Sequence, residues 1–175
     1  MQDTNKLARF EQAVVLHLDA AYNLARWLMR NEQDAEDMVQ EACLRAFTFF
    51  HSFHGEDGRA WLLAIVRNTC YTWLRKNRAQ ELDTVFDEQK HSVEADMADP
   101  EVLLLQKADR ELLQQLLEQL PTEFREVLIL RELEGMSYKQ ISAIADLPIG
   151  TVMSRLARAR RRLEQQLAMR TRMDS

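Results

Sequence analysis

Residues 137–163, SYKQISAIADLPIGTVMSRLARARRRL, read as a short helix, a tight turn and a second helix crowded with arginine. Ser137 can accept from the backbone of Gln140, and the Gln140 side chain can reach back to Ser137, which makes a capping box. Ile141, Ile144 and Ala145 give this first helix an apolar face. Asp146-Leu147-Pro148 breaks it, and Pro148 suits the first turn of a new helix. The second helix carries Arg155, Arg158, Arg160, Arg161 and Arg162. In a helix-turn-helix the second helix enters the DNA major groove, where arginine reads base edges or clamps phosphates. The plainer alternative is a solvated basic helix on an ordinary bundle.

Working outward, the composition supports an all-α chain. Among 175 residues there are only 4 glycines and 3 prolines, and 46% are hydrophobic, enough to bury a core. Leu, Ala, Glu, Gln and Arg dominate, and β-branched runs are nearly absent. No apolar run reaches the roughly 18 residues of a membrane span. The start, MQDTNKLARF, is too polar for a secretory signal, so a cytoplasmic protein without membrane insertion is expected. Cys43 and Cys70 lie in apolar helical patterns and read as reduced core thiols. His51 and His54 share a loop, but no ligand cluster completes a metal site. With no nucleophile–base pair and no phosphate loop, neither an enzyme nor a bound cofactor is expected.

The net charge of −5 conceals opposed blocks. Residues 59–78 carry five basic and no acidic side chains, and 149–172 carry seven arginines against Glu164. Residues 81–101 carry eight acids against Lys90, and 32–41 carry five acids and no base. Two basic blocks on an acidic chain imply two separated contacts with nucleic acid, and an acidic block implies a different partner.

The periodicity divides the chain into two helical domains. A helix over 7–30 has Phe10, Val14, Leu18, Ala21 and Ala25 at helical spacing. Asp34 can cap the next helix, which buries Ala35, Val39, Ala42, Ala46 and Phe49 and shows Asp37, Gln40 and Glu41 on its other face. A glycine-bounded loop, His51 to Gly58, leads to a helix over 59–78. Leu62, Ile65, Val66, Thr69 and Trp73 form its inner face, and Arg67, Tyr71, Arg75 and Arg78 fall opposite, beside Asn68. The first domain therefore spans 1–78. Residues 79–100 lack a clean period and read as a flexible acidic linker. A flexible chain of that length has a mean span of roughly 26 Å, close to one turn of DNA at about 34 Å. The second domain, 101–170, holds a leucine-rich helix from Val102 to Leu120, a helix from Glu123 to Glu134 capped by Gly135, and the helix-turn-helix.

The two basic elements differ in kind. The arginine-rich second helix has no aromatic residue, which suits duplex DNA. The 59–78 helix mixes cations with Trp61, Tyr71 and Trp73, and unstacked bases need such a mixture of charge and stacking platform. The loop before it could hold a flipped base. Core packing accounts for Trp73 and Trp61, whereas Tyr71 lies on the arginine side.

These segments resemble those of the extracytoplasmic-function (ECF) sigma factors of bacterial RNA polymerase, a two-domain class of initiation factors. DAEDMVQEACLRAF (34–47) is similar to their core-polymerase-binding helix. RAWLLAIVRNTCYTWLRKNR (59–78) resembles their minus-ten element, and 120–163 resembles their minus-thirty-five-binding domain. The resemblance implies that Asp37, Gln40 and Glu41 face core polymerase. It places Asn68 near a captured minus-ten base and His54, Gly55, Glu56 and Asp57 in the specificity loop, with Arg67, Tyr71 and Arg75 beside them on the arginine face. It puts Gly150, Thr151, Met153, Ser154, Arg155, Arg158 and Arg162 on the recognition helix. Met153 stands where many relatives carry lysine or arginine, and Ala157 is small where some are bulky, so the minus-thirty-five sequence does not carry over. After Leu167 only AMRTRMDS remains, so regulation by an appended domain is not expected, and a separate anti-sigma protein is the family expectation. The competing function is a free-standing helix-turn-helix regulator, which would not need the basic-aromatic helix.

Overall fold

The computed structural model describes residues 2–55, 57–77 and 107–174. Among them every regular element is helical: α1 Gln2–Val14, α2 Leu18–Met29, α3 Glu32–Thr48, α4 Gly58–Asn77, α5 Lys107–Gln119, α6 Thr122–Leu128, α7 Tyr138–Ala145 and α8 Ile149–Asp174. The acidic linker expected over 79–100 lies outside the described residues, as does the start of the helix expected from Val102.

The N-terminal half is a bundle in which α2, α3 and α4 pack on one another. Ala21, Ala25, Ala35, Ala42 and Ala46 are all fully buried. Their small side chains let the helix backbones approach closely, and Leu24, Leu28, Leu62, Leu63 and Val66 fill the remaining volume. The helix read over 7–30 is broken by a 3-10 turn, Val15–His17. The break follows Ala13, whose carbonyl oxygen would stand 2.3 Å from a Cβ at Gly58. That contact admits only glycine at the start of α4 and fixes where α1 crosses it. Asn31, not Asp34, caps α3: its side chain accepts from the Asp34 N–H at 3.0 Å, because the chain turns at the left-handed Arg30 and the helix starts three residues earlier than an Asp34 cap implies. Phe49, read as buried, is exposed, since α3 ends at Thr48 and a 3-10 turn buries Phe50 instead. Phe50 and Phe53 then pack on Trp61, with ring centroids 6.0 and 5.0 Å away.

In the C-terminal half, α5 packs on α8, and Leu113, Leu116, Leu117 and Leu120 of α5 and its end join one apolar cluster with the buried residues of α6, α7 and α8. Arg125 is buried, and its guanidinium donates to the carbonyls of Glu118 and Leu120 at 2.9 and 3.2 Å, closing the end of α5 ahead of Pro121. The helix expected over 123–134 is α6 followed by a π-helical turn, Ile129–Leu133, and Gly135 adopts the left-handed conformation that ends it (φ 64°). The two halves share one continuous apolar cluster.

Candidate nucleic-acid and partner surfaces

The helix-turn-helix forms as its sequence dictates. Ser137 Oγ accepts from the Gln140 N–H at 3.1 Å, and Gln140 Oε1 accepts from the Ser137 N–H at 2.8 Å. Asp146 takes the left-handed conformation at the end of α7 (φ 55°), and the Leu147 N–H returns to the Ser142 carbonyl. Pro148 then opens α8 with its carbonyl accepting from Val152. Val152, Leu156, Ala159 and Leu163 bury one face of α8. The opposite face leaves Gly150, Met153, Ser154, Ala157, Arg158 and Arg161 exposed, with Thr151, Arg155 and Arg162 half-buried at its edges. A Cβ at Gly150 would meet nothing within 4 Å. Internal packing therefore does not require this glycine, and the bare helix start is open to a backbone from outside. Arg160 differs from its neighbours, because its guanidinium is held by Glu132 Oε1 at 2.7 Å.

On α3 the structure brings Asp37, Gln40 and Glu41 together, all exposed, with Glu41 paired to Arg45 at 3.1 Å. It adds Leu44, 67% exposed, one turn further along the same stripe. The sequence held that signal as a leucine seven residues after Asp37, off the alanine stripe that faces inward.

The minus-ten residues are split. His54, Gly55, Asp57, Asn68 and Arg75 are exposed, while Glu56 lies outside the described residues. Asp57 caps α4 by accepting from the Ala60 N–H at 3.0 Å and also accepts from Gln140 Nε2 at 2.8 Å. The backbone bond and the Gln140 side chain hold its carboxyl below the usual range. Arg67 and Tyr71, expected on an open face, are covered by the C-terminal half. Arg67 Nε donates to Glu126 Oε1 at 3.1 Å, and its guanidinium lies 4.1 Å from the Tyr71 ring centroid. The Tyr71 hydroxyl is buried against the same carboxylate. Burial pushes the Glu126 carboxyl up, and the Arg67 charge opposes that shift. Sequence periodicity could not find Glu126, which follows Arg125 in a mixed stretch and reads as a solvent-facing charge. Burial also pushes the Cys70 thiol up to about 12, in keeping with a core thiol. Among the described residues no cluster of His, Cys, Asp or Glu could hold a metal ion, and no helix is long and apolar enough to cross a membrane.

Comparison with known proteins yields two family matches: Sigma-70 region 2 over residues 13–80 and Sigma-70, region 4 over residues 110–163. The ECF RNA polymerase sigma-E factor of Escherichia coli strain K12 is 36% identical over 141 residues, covering 77% of this chain and 74% of that protein. The ECF RNA polymerase sigma factor SigE of Mycolicibacterium smegmatis is 31% identical over 166 residues, covering 95% of this chain and 64% of that protein. In the co-crystal structure of the sigma factor RpoE with the anti-sigma factor NepR from Bartonella quintana, one chain matches with a TM-score of 0.70 at 32% identity, over 91% of this chain and 96% of its own. A chain in the structure of CnrH with the cytosolic domain of CnrY matches with a TM-score of 0.61 at 27% identity, over 90% and 86%.

Proposed function

The chain belongs to the ECF sigma factors of RNA polymerase, and from that premise we propose how its surfaces divide the work of initiation. It is a sigma factor that directs RNA polymerase to promoters. Residues 1–78 take the polymerase and the minus-ten element, 79–100 connect, and 101–170 take the minus-thirty-five element. Asp37, Gln40 and Glu41 dock on core polymerase, an exposed polar patch of the kind that steers association. His54, Gly55, Glu56 and Asp57 hold the captured base next to Asn68, while Arg67 and Arg75 neutralise the strand and Tyr71 offers a ring for stacking. Gly150, Thr151, Met153, Ser154, Arg155, Arg158 and Arg162 meet the minus-thirty-five duplex, with Arg158 on base edges.

The observation that carries this reading is the exposed face of α8, whose arginines project from the second helix of a helix-turn-helix whose first helix, α7, has a complete capping box. The chain supplies no chemistry of its own and works in the cytoplasm beside the polymerase that catalyses. An anti-sigma protein is its regulator, by analogy with the RpoE relative found with NepR. The test is transcription of a genomic DNA library by core polymerase with and without the protein, mapping start sites. Discrete new starts that share two upstream elements are expected. Tight, specific duplex binding without polymerase and no new starts would favour a free-standing regulator instead.

A further inference from the structure

The outer side of α8 is not uniformly polar. Val152, Leu156, Ala159 and Leu163 are buried, and Gly150, Ser154, Arg158 and Arg161 are exposed on the far side. Along one shoulder between them run Ile149, Met153 and Ala157, at steps of four residues that place them in one row. Ile149 is 45% and Met153 51% exposed, and Ala157 is exposed too. A single exposed apolar side chain is ordinary on a protein surface. Here the apolar row borders a face of glycine, serine and arginine. Residues 149–163 contain no acidic side chain, so the charge beside the row is complementary to a polyanion.

We propose that Met153 is a specificity-determining residue that packs on the methyl group of a thymine in the minus-thirty-five element. Met153 is the fifth residue of α8, and the N-terminal part of the second helix is what reaches base edges in a helix-turn-helix. Its thioether donates no hydrogen bond and accepts only weakly, so it does not read the polar edges of guanine, cytosine or adenine. The major groove offers one apolar group, the C5-methyl of thymine. Two effects then favour thymine. Docking takes a half-exposed methionine and a methyl out of water together, and one methyl buried in this way is worth about fourfold in affinity. Any other base sets polar edge atoms against a side chain that cannot pair with them, which is costly once water is excluded. The unbranched, polarisable chain of methionine adapts to the contour of the groove, and Ala157, one turn on, is too small to hold the base pair away. Arg158 and Arg161 fix the helix on the duplex, and Met153 adds a sequence preference that a phosphate contact cannot supply.

The inference rests on the minus-thirty-five reading of α8, and the experiment separates the two. Core polymerase carrying the full chain selects from duplexes randomised across the minus-thirty-five window of a promoter found by start-site mapping. Each thymine of the selected element is then replaced singly by deoxyuridine, which removes the methyl and keeps the pairing edge. At one position this should weaken binding about fourfold with the wild-type chain, and not at all with Met153→Ala. Repeating the selection with Met153→Lys should exchange that thymine for guanine, because lysine donates to O6 and N7. Position 153 is exposed, and alanine and lysine are good helix formers, so both variants should fold. Arg158→Ala on the same duplexes reports on the parent reading. Deoxyuridine tolerated at every position, with Arg158→Ala still losing discrimination, would overturn the methyl contact and leave the minus-thirty-five reading standing. A methyl dependence that survives Met153→Ala would overturn the assignment to Met153. Weaker binding of Met153→Ala to core polymerase, with its deoxyuridine response unchanged from wild type, would give the row to a protein partner instead. Selection of no preferred sequence in the window would overturn the minus-thirty-five reading and the contact with it.

Discussion

Gly58 and Arg158 show how much one side chain decides. At Gly58 a Cβ would stand 2.3 Å from the Ala13 carbonyl oxygen, a backbone atom that cannot swing aside. Gly58→Ala should therefore force α1 off α4 and lower stability by about 1–3 kcal/mol, the usual range for overpacking. Urea unfolding should show a lower midpoint with an unchanged slope. Arg158 is exposed on α8. Arg158→Ala should leave stability alone and cost roughly 1–3 kcal/mol of discrimination between promoter and scrambled duplex. Competition binding reads this directly, and an equal loss on both duplexes would make Arg158 a phosphate clamp. The sequence flagged Arg158, but Gly58 looked like one of two loop glycines until the fold brought Ala13 beside it.

At the scale of elements, legibility followed locality. The α7 cap, the break at Asp146-Leu147-Pro148 and the start of α8 depend on residues within five positions of one another, and all stand where the sequence placed them. Ser137→Ala removes the side-chain half of the capping box, the bond that Oγ accepts from the Gln140 N–H, and leaves the backbone N–H of residue 137 to Gln140. It should destabilise the protein by about 1 kcal/mol, measured as a fall in melting temperature, and weaken minus-thirty-five binding by loosening the helix that supports α8. The break between α1 and α2 was not legible, because no proline or glycine marks Val15–His17. Nor was the π-helical turn before Gly135, where the local pattern continues as an ordinary helix. The inner face of α4 was read correctly at Leu62, Val66 and Thr69, but Leu63 and Cys70 are buried as well. A helix sandwiched between two packing partners has two buried faces, whereas a single amphipathic stripe predicts one.

For the whole molecule, the packing of the two halves leaves the polar face of α3 exposed. Asp37→Lys should reduce affinity for core polymerase, mainly through slower association that depends on salt. The side chain is exposed, so the unfolding midpoint should stay within about 0.5 kcal/mol of wild type. Surface plasmon resonance with immobilised core enzyme, alongside a denaturation curve, checks both expectations. Unchanged association would move the docking site off this stripe.

The sequence by itself determined the all-α class, the helix-turn-helix with its exposed arginines and the polar face of α3. These are fixed by side chains three or four residues apart, which report to one another through helical periodicity and capping. Only the tertiary structure decided that Arg67 and Tyr71 face Glu126 rather than solvent. The pair is 59 residues apart in sequence, and a glutamate next to Arg125 looks locally like any surface charge. Burying that carboxylate is tolerable only because the other half of the chain brings it a guanidinium, and that is a property of packing rather than of pattern.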